Sequence, residues 1–332
     1  MQEPKKEASG LEPLQVSHLF DDAYLVALYS GRRSKIGSLK YLVRRISQLR
    51  AAAEADVIWL EKEALPWVPW PIEKLFTPRG VRVVSDYDDA VFHSYDKHRS
   101  TLVRRLVGQK IDKVMAASSI VFAGNEYLAA RAMEAGAPDI RHIPTVVDTT
   151  VYGYRPTGAP DGKARVGWIG TPKTWAEHGL PMQAMLQDLL ARHGAVFRAI
   201  GAGKPERNVP GFEFPPWSEE TEVSQIQGLD IGIMPLTDTP FARGKCGFKL
   251  IQYMACGLPV VASPIGVNRQ IVEHGVNGYL ASGETEWRFA LTSLLSDPEL
   301  RRRMGEAGRK KVVSEYSMQV YGPKVAGILS TI

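Results

Sequence analysis

Short apolar runs alternate along the whole chain with stretches whose apolar positions recur every three or four residues. That alternation predicts buried parallel strands interleaved with amphipathic helices. In the first half the strand candidates are LQVSHLF (14–20), DVIWLE (56–61), VRVVSDYDD (81–89), SSIVFAG (118–124) and IRHIPTVVD (140–148). Between them lie helical patterns over Asp21 to Ala53, around Trp67 and Trp70, through the basic stretch 98–113, and from Glu126 to Ala135. The stretch 151–164, VYGYRPTGAPDGKA, is rich in Gly and Pro and has no period, so it reads as a linker. The alternation then restarts with RVGWIG, a helix from Trp175 to Arg192, AVFRAIGAG, FEFPPW, a helix from Glu219 to Gln227, DIGIMPL, PVVASP and a last pair of helices.

The pattern predicts an α/β chain of two Rossmann-like domains with a ligand cleft between them. The expected division is residues 1–150, a linker 151–164, a second domain 165–318, and a final helix 319–332 returning to brace the first domain. A length of 332 residues suits two such cores.

Composition narrows the classes. With 44% hydrophobic and 23% charged residues, the chain is an ordinary folded one. The excess of 41 Lys+Arg over 36 Asp+Glu, a net +5, is too mild for a nucleic-acid binder and suits an anionic ligand or a lipid surface. Two cysteines in one short motif give no disulfide framework, so reduced thiols in a cytoplasmic setting are expected. The seven histidines lack ligand spacing, and no metal site is expected. No signal-like or membrane-spanning apolar run occurs, but KYLVRRISQLR (40–50) and HRSTLVRRLVGQKIDK (98–113) are basic and amphipathic. They keep a peripheral contact with the inner face of a membrane in view, beside the plainer reading of solvated helix faces.

The chemistry concentrates in GKCGFKLIQYMACGLPVVA (244–262). Phe248, Ile251 and Ala255, with Leu250 and Met254, trace a buried helical stripe, Gly247 turns the chain into the helix, and Gly257 and Pro259 end it before the strand VVA. A helix N-terminus at the carboxyl edge of a parallel sheet offers unpaired N–H groups and the positive end of the macrodipole. Lys245 and Lys249 at that position make a phosphate site, Arg243 adds charge, and Gln252, one turn on, faces a ribose or sugar hydroxyl.

The run from Lys245 to Gly266, continued by NRQIVEHGVNGYLA and by Glu315, Tyr316 and Ser317, resembles the donor-binding half of retaining GT-B glycosyltransferases of the family 4 type. The matching variant K-x-x-E-Y-M-A-x-G-x-P-V-V falls on Lys249, Tyr253, Met254, Ala255, Gly257, Pro259, Val260 and Val261. The resemblance covers most of 165–320 and reaches the first half only in outline. It implies a GT-B fold, a nucleotide diphosphate sugar as donor, no other cofactor, and retention at the anomeric carbon without a bound metal. The two spaced glutamates of the pattern fall on Gly244 and Gln252, so an amide replaces the ribose-binding carboxylate and the sugar-facing acid is missing. The resemblance also leads one to expect a first βα unit for which the chain has only MQEPKKEASGLEP.

Weaker signals surround this motif. Asp86, Asp88 and Asp89 close a strand and His93 follows; the resemblance suggests that Asp88 or His93 orients the acceptor, and helix capping explains the aspartates equally well. Glu61 and Glu63 end another strand toward the same expected cleft. Gly170 and Thr171 are placed to bring backbone amides to a phosphate, with Lys173 beside them, and GAGK (201–204) offers Gly203 as a second glycine loop. Trp217 reads as packing between domains before it reads as a wall for a nucleobase, Asn125 as a helix cap, and Cys246 and Cys256 as small packing residues.

The expected reaction is glycosyl transfer from a nucleotide diphosphate sugar to a hydroxyl of a sugar, glycan or lipid-linked acceptor, as in polysaccharide biosynthesis. Lys245, Lys249 and the helix terminus would stabilise the leaving diphosphate. Two rivals share the architecture: a sugar-nucleotide epimerase or hydrolase, and a non-catalytic nucleotide-sugar binder encouraged by Gln252. A dehydrogenase is disfavoured, since no dinucleotide fingerprint follows any strand.

Overall fold

A computed structural model describes residues 16–19, 35–154, 162–205 and 207–332, side chains of 35–39 excepted. The chain divides into two compact units, Met1–Pro144 with Gly322–Ile332, and Thr145–Tyr321. The expected first strand and the start of the helix after it fall largely outside the described residues. Val16–His18, which are described, belong to neither sheet, and the backbone of Ser17 and His18 is instead held by Arg45 and Arg44. The stretch MQEPKKEASGLEP, where the resemblance places a first βα unit and the sequence offers none, likewise lies outside the described residues.

The first unit contains β1 (Val57–Glu61), β2 (Arg82–Tyr87), β3 (Ile120–Ala123) and β4 (Ile140–His142), all parallel and side by side in chain order. Because the order never reverses among the described strands, right-handed crossovers put the connecting helices on one face. A doubly wound sheet was expected here, and these four strands alone do not make one. The other contribution to its core comes from far along the chain: Val325, Ile328, Leu329 and Ile332 pack with Val84, Ile120 and Phe122. Helix α1 (Lys35–Ala51) precedes β1, α2 (Trp70–Phe76) follows it, and α3 (Thr101–Val107), α4 (Lys110–Ala117) and α5 (Glu126–Glu134) follow in turn. Asn125 caps α5 through its side chain, accepting from the Leu128 amide at 3.0 Å, as expected.

Beneath the loop after β1 lies a buried charge group. Lys110, 1% exposed, pairs with Glu73 at 3.0 Å, donates to the Leu65 carbonyl, and also meets Glu63. Glu63, expected to face a cleft, is thus committed inward, where it also accepts from the Tyr95 hydroxyl at 2.5 Å. Sequence separations of 32 to 47 residues hide these pairings from local reading.

The second unit holds β5 (Arg165–Ile169), β6 (Val196–Ile200), β7 (Phe212–Glu213), β8 (Ile231–Met234), β9 (Val260–Ala262) and β10 (Gly278–Leu280) in the parallel order β10-β9-β8-β5-β6-β7. Strands after β5 are added outward on one side and those after β8 on the other, so the order reverses between β5 and β8. Helices α6 (Gln183–His193), α7 (Glu219–Gln227), α8 (Phe248–Ala255), α9 (Glu284–Ser296) and α10 (Pro298–Glu315) pack with this sheet, and α11 (Met318–Leu329) follows. Two core clusters fill it, one with Trp168, Trp175, Phe197 and Leu186, the other with Tyr253, Met254, Leu250 and Val260. Trp217, expected between domains, packs within the second of these clusters. Val147 pairs with Ser317, so the segments by which the chain enters and leaves this unit run side by side.

Candidate ligand site of the second unit

The reversal of strand order opens a crevice at the carboxyl ends of β5 and β8, the place where open parallel sheets bind ligands. Three chain segments meet there: Gly170–Thr171 after β5, the loop from Pro235 after β8, and the start of α8. They are tied together. Tyr253 of α8 accepts from the Ile169 amide at 2.9 Å, and the Thr237 amide donates to His178 Nδ1 at 3.4 Å.

Helix α8 enters through Gly247 at φ +70°, a left-handed conformation that L side chains rarely adopt. A Cβ there would also lie 2.3 Å from Ile271 Cδ1, so glycine is required on two counts. From Leu250 to Ala255 every residue is buried, whereas Phe248, expected in the buried stripe, is 42% exposed at the first turn. The apolar period is therefore broken at its first member, because the first turn of α8 emerges from the core.

Lys249 Nζ lies 4.3 Å over the Trp168 ring, and a Cβ on Gly170 would come within 2.8 Å of it, which puts the ammonium against the end of β5. Lys245 Nζ lies 5.1 Å over the Phe241 ring. Both charges reach His178, which is 6% exposed: burial holds its pKa below the ordinary value, Glu177, with Oε1 3.8 Å from Nε2, opposes that, and the two lysines push it down again. The imidazole is consequently neutral near pH 7, and because Nδ1 accepts from Thr237, the proton sits on Nε2. Two ammonium groups, a neutral imidazole and the first turn of α8 thus gather at the crevice and can meet a diphosphate. His178 was not singled out from sequence, since a lone histidine in a π-helical turn (Trp175–Gly179) carries no local signal.

Other expected ligand groups are engaged elsewhere. The amides expected to approach a phosphate already have partners: that of Gly170 donates to the Ile200 carbonyl (3.0 Å), and that of Thr171 to Thr174 Oγ1 (3.0 Å) in a capping box. Lys173 is exposed on that short turn, and Gly203, at φ +83°, sits against Pro172. Arg243 makes a two-bond pair with Asp238 at 2.7 and 3.0 Å. Gln252 is 2% exposed, and its amide nitrogen donates to Tyr152 Oη at 2.9 Å and to Glu222 Oε1 at 2.7 Å. Glu222 also accepts from Trp217 Nε1 at 2.5 Å and from the Tyr152 hydroxyl. A carboxylate is therefore present beside position 252, supplied by α7.

In the first unit the expected acceptor residues lie at the carboxyl edge of β1 and β2. Asp88 pairs with Lys62 at 2.9 Å, and Lys62 also meets Glu61 at 3.2 Å. Asp86 faces Glu61 across the ladder, and burial, then Asp88 and Glu61, push its carboxyl up to about 7. His93 is not open to a ligand in this arrangement: Nδ1 meets Asp96 at 2.9 Å and Nε2 meets Tyr127 Oη at 2.8 Å. Asp86 is the group of this edge best suited to exchange a proton near neutrality. Among the described residues no cluster of three or more His, Cys, Asp or Glu is placed to hold a metal ion.

Residues 212–311 match the family described as glycosyl transferases group 1. The N-acetyl-alpha-D-glucosaminyl L-malate synthase of Bacillus anthracis is 36% identical over 72 residues, 21% of this chain and 19% of that protein. The GDP-mannose-dependent monoacylated alpha-(1-6)-phosphatidylinositol monomannoside mannosyltransferase of Corynebacterium glutamicum is 26% identical over 230 residues, 58% of this chain and 57% of that protein. The chain thus spans less than two thirds of the length of either relative. Among solved structures, Anabaena HepE in complex with UDP-glucose superimposes with a TM-score of 0.67 at 17% identity, covering 95% of this chain and 90% of that one. The second unit carries a glycosyl transferases group 1 domain, and the chain has the GT-B fold of two Rossmann-like units.

Proposed function

We propose that the protein is a glycosyltransferase that uses a nucleotide diphosphate sugar, transferring the sugar with retention to an acceptor hydroxyl and drawing its diphosphate stabilisation from side chains in place of a metal. The observation that carries this reading is the meeting of Lys245, Lys249, His178 and the start of α8 at the β5/β8 crevice. As the bond from the anomeric carbon to the diphosphate breaks, the electron pair stays on the phosphate oxygen. The ammonium groups and the His178 Nε2–H stabilise that growing charge. The acceptor oxygen bonds to the anomeric carbon from the side the phosphate leaves, and its proton passes to the departing phosphate oxygen. Lysine suits the task as a mobile point charge that follows the phosphate as it separates. Asp86, with Asp88 beside it, is the proposed acceptor-side group. Sugar, glycan and lipid-linked hydroxyls are the acceptor classes in view.

Titration calorimetry with UDP-, GDP- and ADP-sugars, followed by an acceptor-dependent release assay, tests the reading. One donor should bind, and nucleotide release should require an acceptor. Release without acceptor would favour a hydrolase or epimerase, and binding without turnover a nucleotide-sugar binder. Lys249→Ala should weaken nucleoside diphosphate binding by about tenfold or more, the worth of a charge-assisted hydrogen bond, and leave nucleoside binding nearly unchanged. Equal losses for both ligands would remove Lys249 from the phosphate site.

A further inference from the structure

Glu222, half-buried in the first turn of α7, is held by three donors. Its Oε1 accepts from the Gln252 amide nitrogen at 2.7 Å and from the Tyr152 hydroxyl, and its Oε2 accepts from Trp217 Nε1 at 2.5 Å. With both oxygens fixed, the carboxyl group cannot rotate. A carboxylate has only acceptors to offer, so the nitrogen end of the Gln252 amide must face it. Tyr152 fixes the amide the same way round. Its one hydrogen goes to Glu222, and burial followed by that bond raises its pKa and keeps the hydrogen in place. Toward Gln252 the hydroxyl therefore accepts, at 2.9 Å. Both amide hydrogens of Gln252 are thus engaged, and among the described residues none donates to its Oε1.

The surroundings tie this group to the crevice. Gln252 stands three residues after Lys249 on α8, on the same side of the helix, and the Lys249 ammonium lies against the end of β5. Trp217 stands at the same strand end: a Cβ on Gly201, which follows β6, would lie 2.3 Å from the Gly170 carbonyl oxygen and 3.0 Å from Trp217 Cβ. An amide can meet a ligand hydroxyl through either end, and here one end is taken. We infer that Glu222 is a positioning residue for the donor: it makes position 252 an acceptor-only group, so that the site takes a ribose hydroxyl as a hydrogen-bond donor and rejects a nucleotide lacking one. The inference rests on the nucleotide-sugar reading above and adds to it the side chain that selects the sugar of the nucleoside.

Competition calorimetry with UDP, GDP and ADP, each beside its 2′-deoxy, 3′-deoxy and matching fluoro forms, tests the inference. For the base that binds, wild type should prefer the ribonucleotide over at least one deoxy form by about fivefold or more, the worth of a lost hydrogen bond. The fluoro form at that position should bind as weakly as the deoxy form, because fluorine cannot donate. Glu222→Leu frees the amide to turn, and should cut the preference to about twofold or less. Its binding of the deoxy form should stay nearly unchanged, which also shows that the variant is folded. Glu222→Gln with Gln252→Glu sets a donor at 222 and an acceptor at 252, and should restore the preference; this swapped pair carries the test where Glu222→Leu does not fold. Four outcomes would each overturn the inference alone: a fluoro form that binds like the ribonucleotide, a wild type indifferent to both deoxy forms, an unchanged preference in folded Glu222→Leu, or a swapped pair without the preference. Binding of none of the three nucleoside diphosphates would overturn the nucleotide-sugar reading and the inference together.

Discussion

At position 252 the residue type matters less than its neighbours. Both hydrogens of the Gln252 amide are donated, to Tyr152 and Glu222, so the amide is locked with its carbonyl as the remaining polar atom. Gln252→Glu, which restores the glutamate of the motif, therefore sets two carboxylates against each other where a 2.7 Å hydrogen bond stood. The variant should lose about 2 kcal/mol or more of stability near neutral pH, measured by urea unfolding, and recover part of it in acid as the pair takes up a shared proton. The swapped double variant Glu222→Gln with Gln252→Glu should return most of the loss; a double variant no better than the single one would show the two positions to be uncoupled.

Asp86 gives the second prediction at this scale. Its folded pKa, about 7, lies above the ordinary 3.8, so between these values the folded chain holds a proton that the unfolded chain has lost. Stability therefore falls as pH rises through that window, and above about 7 the full penalty of the buried charge applies. Asp86→Asn should raise Tm by a few degrees at pH 8.5 and by little at pH 4, the sign following from the raised pKa. A gain that is equal at both pH values would assign it to something other than ionisation. Cys256 shifts the same way but is silent near neutrality, because its fully buried thiol, pushed up to about 12, stays protonated there.

At the scale of elements, α8 was legible because its signals are local: Gly247, the apolar stripe, Gly257 and Pro259 lie within one short run. Gly247→Ala combines a left-handed backbone with a Cβ pressed on Ile271, and should cost roughly 1–3 kcal/mol by urea midpoint. An unchanged midpoint would mean that the turn relaxes freely. Asn125 as a cap was readable for the same local reason. What escaped sequence reading rests on separations of tens of residues: Arg309 holding the Ala255, Tyr152 and Thr149 carbonyls, Lys110 between Glu63 and Glu73, and His178 against Thr237. The partners of the Gly170 and Thr171 amides are not legible locally either: one bonds the Ile200 carbonyl thirty residues on, the other a Thr174 cap that only the turn geometry reveals. Strand existence followed from apolar runs, but strand order did not, and the β5/β8 reversal that fixes the crevice is a property of order.

For the whole molecule, the notable fact is that the first unit is discontinuous. Its core includes Val325, Ile328, Leu329 and Ile332, while Thr145–Tyr321 form the other unit. Removing Gly322–Ile332 should destabilise the first unit by several kcal/mol, roughly 1 kcal/mol or more for each half-buried aliphatic lost, and leave the second largely intact. Hydrogen exchange resolved by segment would check this: protection should fall over β1 to β4 and persist over β5 to β10. A uniform fall over both units would contradict the division. Because the entry and exit of the second unit are pinned together by Val147 and Ser317, that unit should hold its ends without the other.

That discontinuity also sets a timetable. A ribosome delivers the strands β1 to β4 early, yet the aliphatic residues that close their core emerge only after the whole of Thr145–Tyr321 has been made. The half that is synthesised first is therefore the half that matures last, waiting with an open apolar sheet while its neighbour folds.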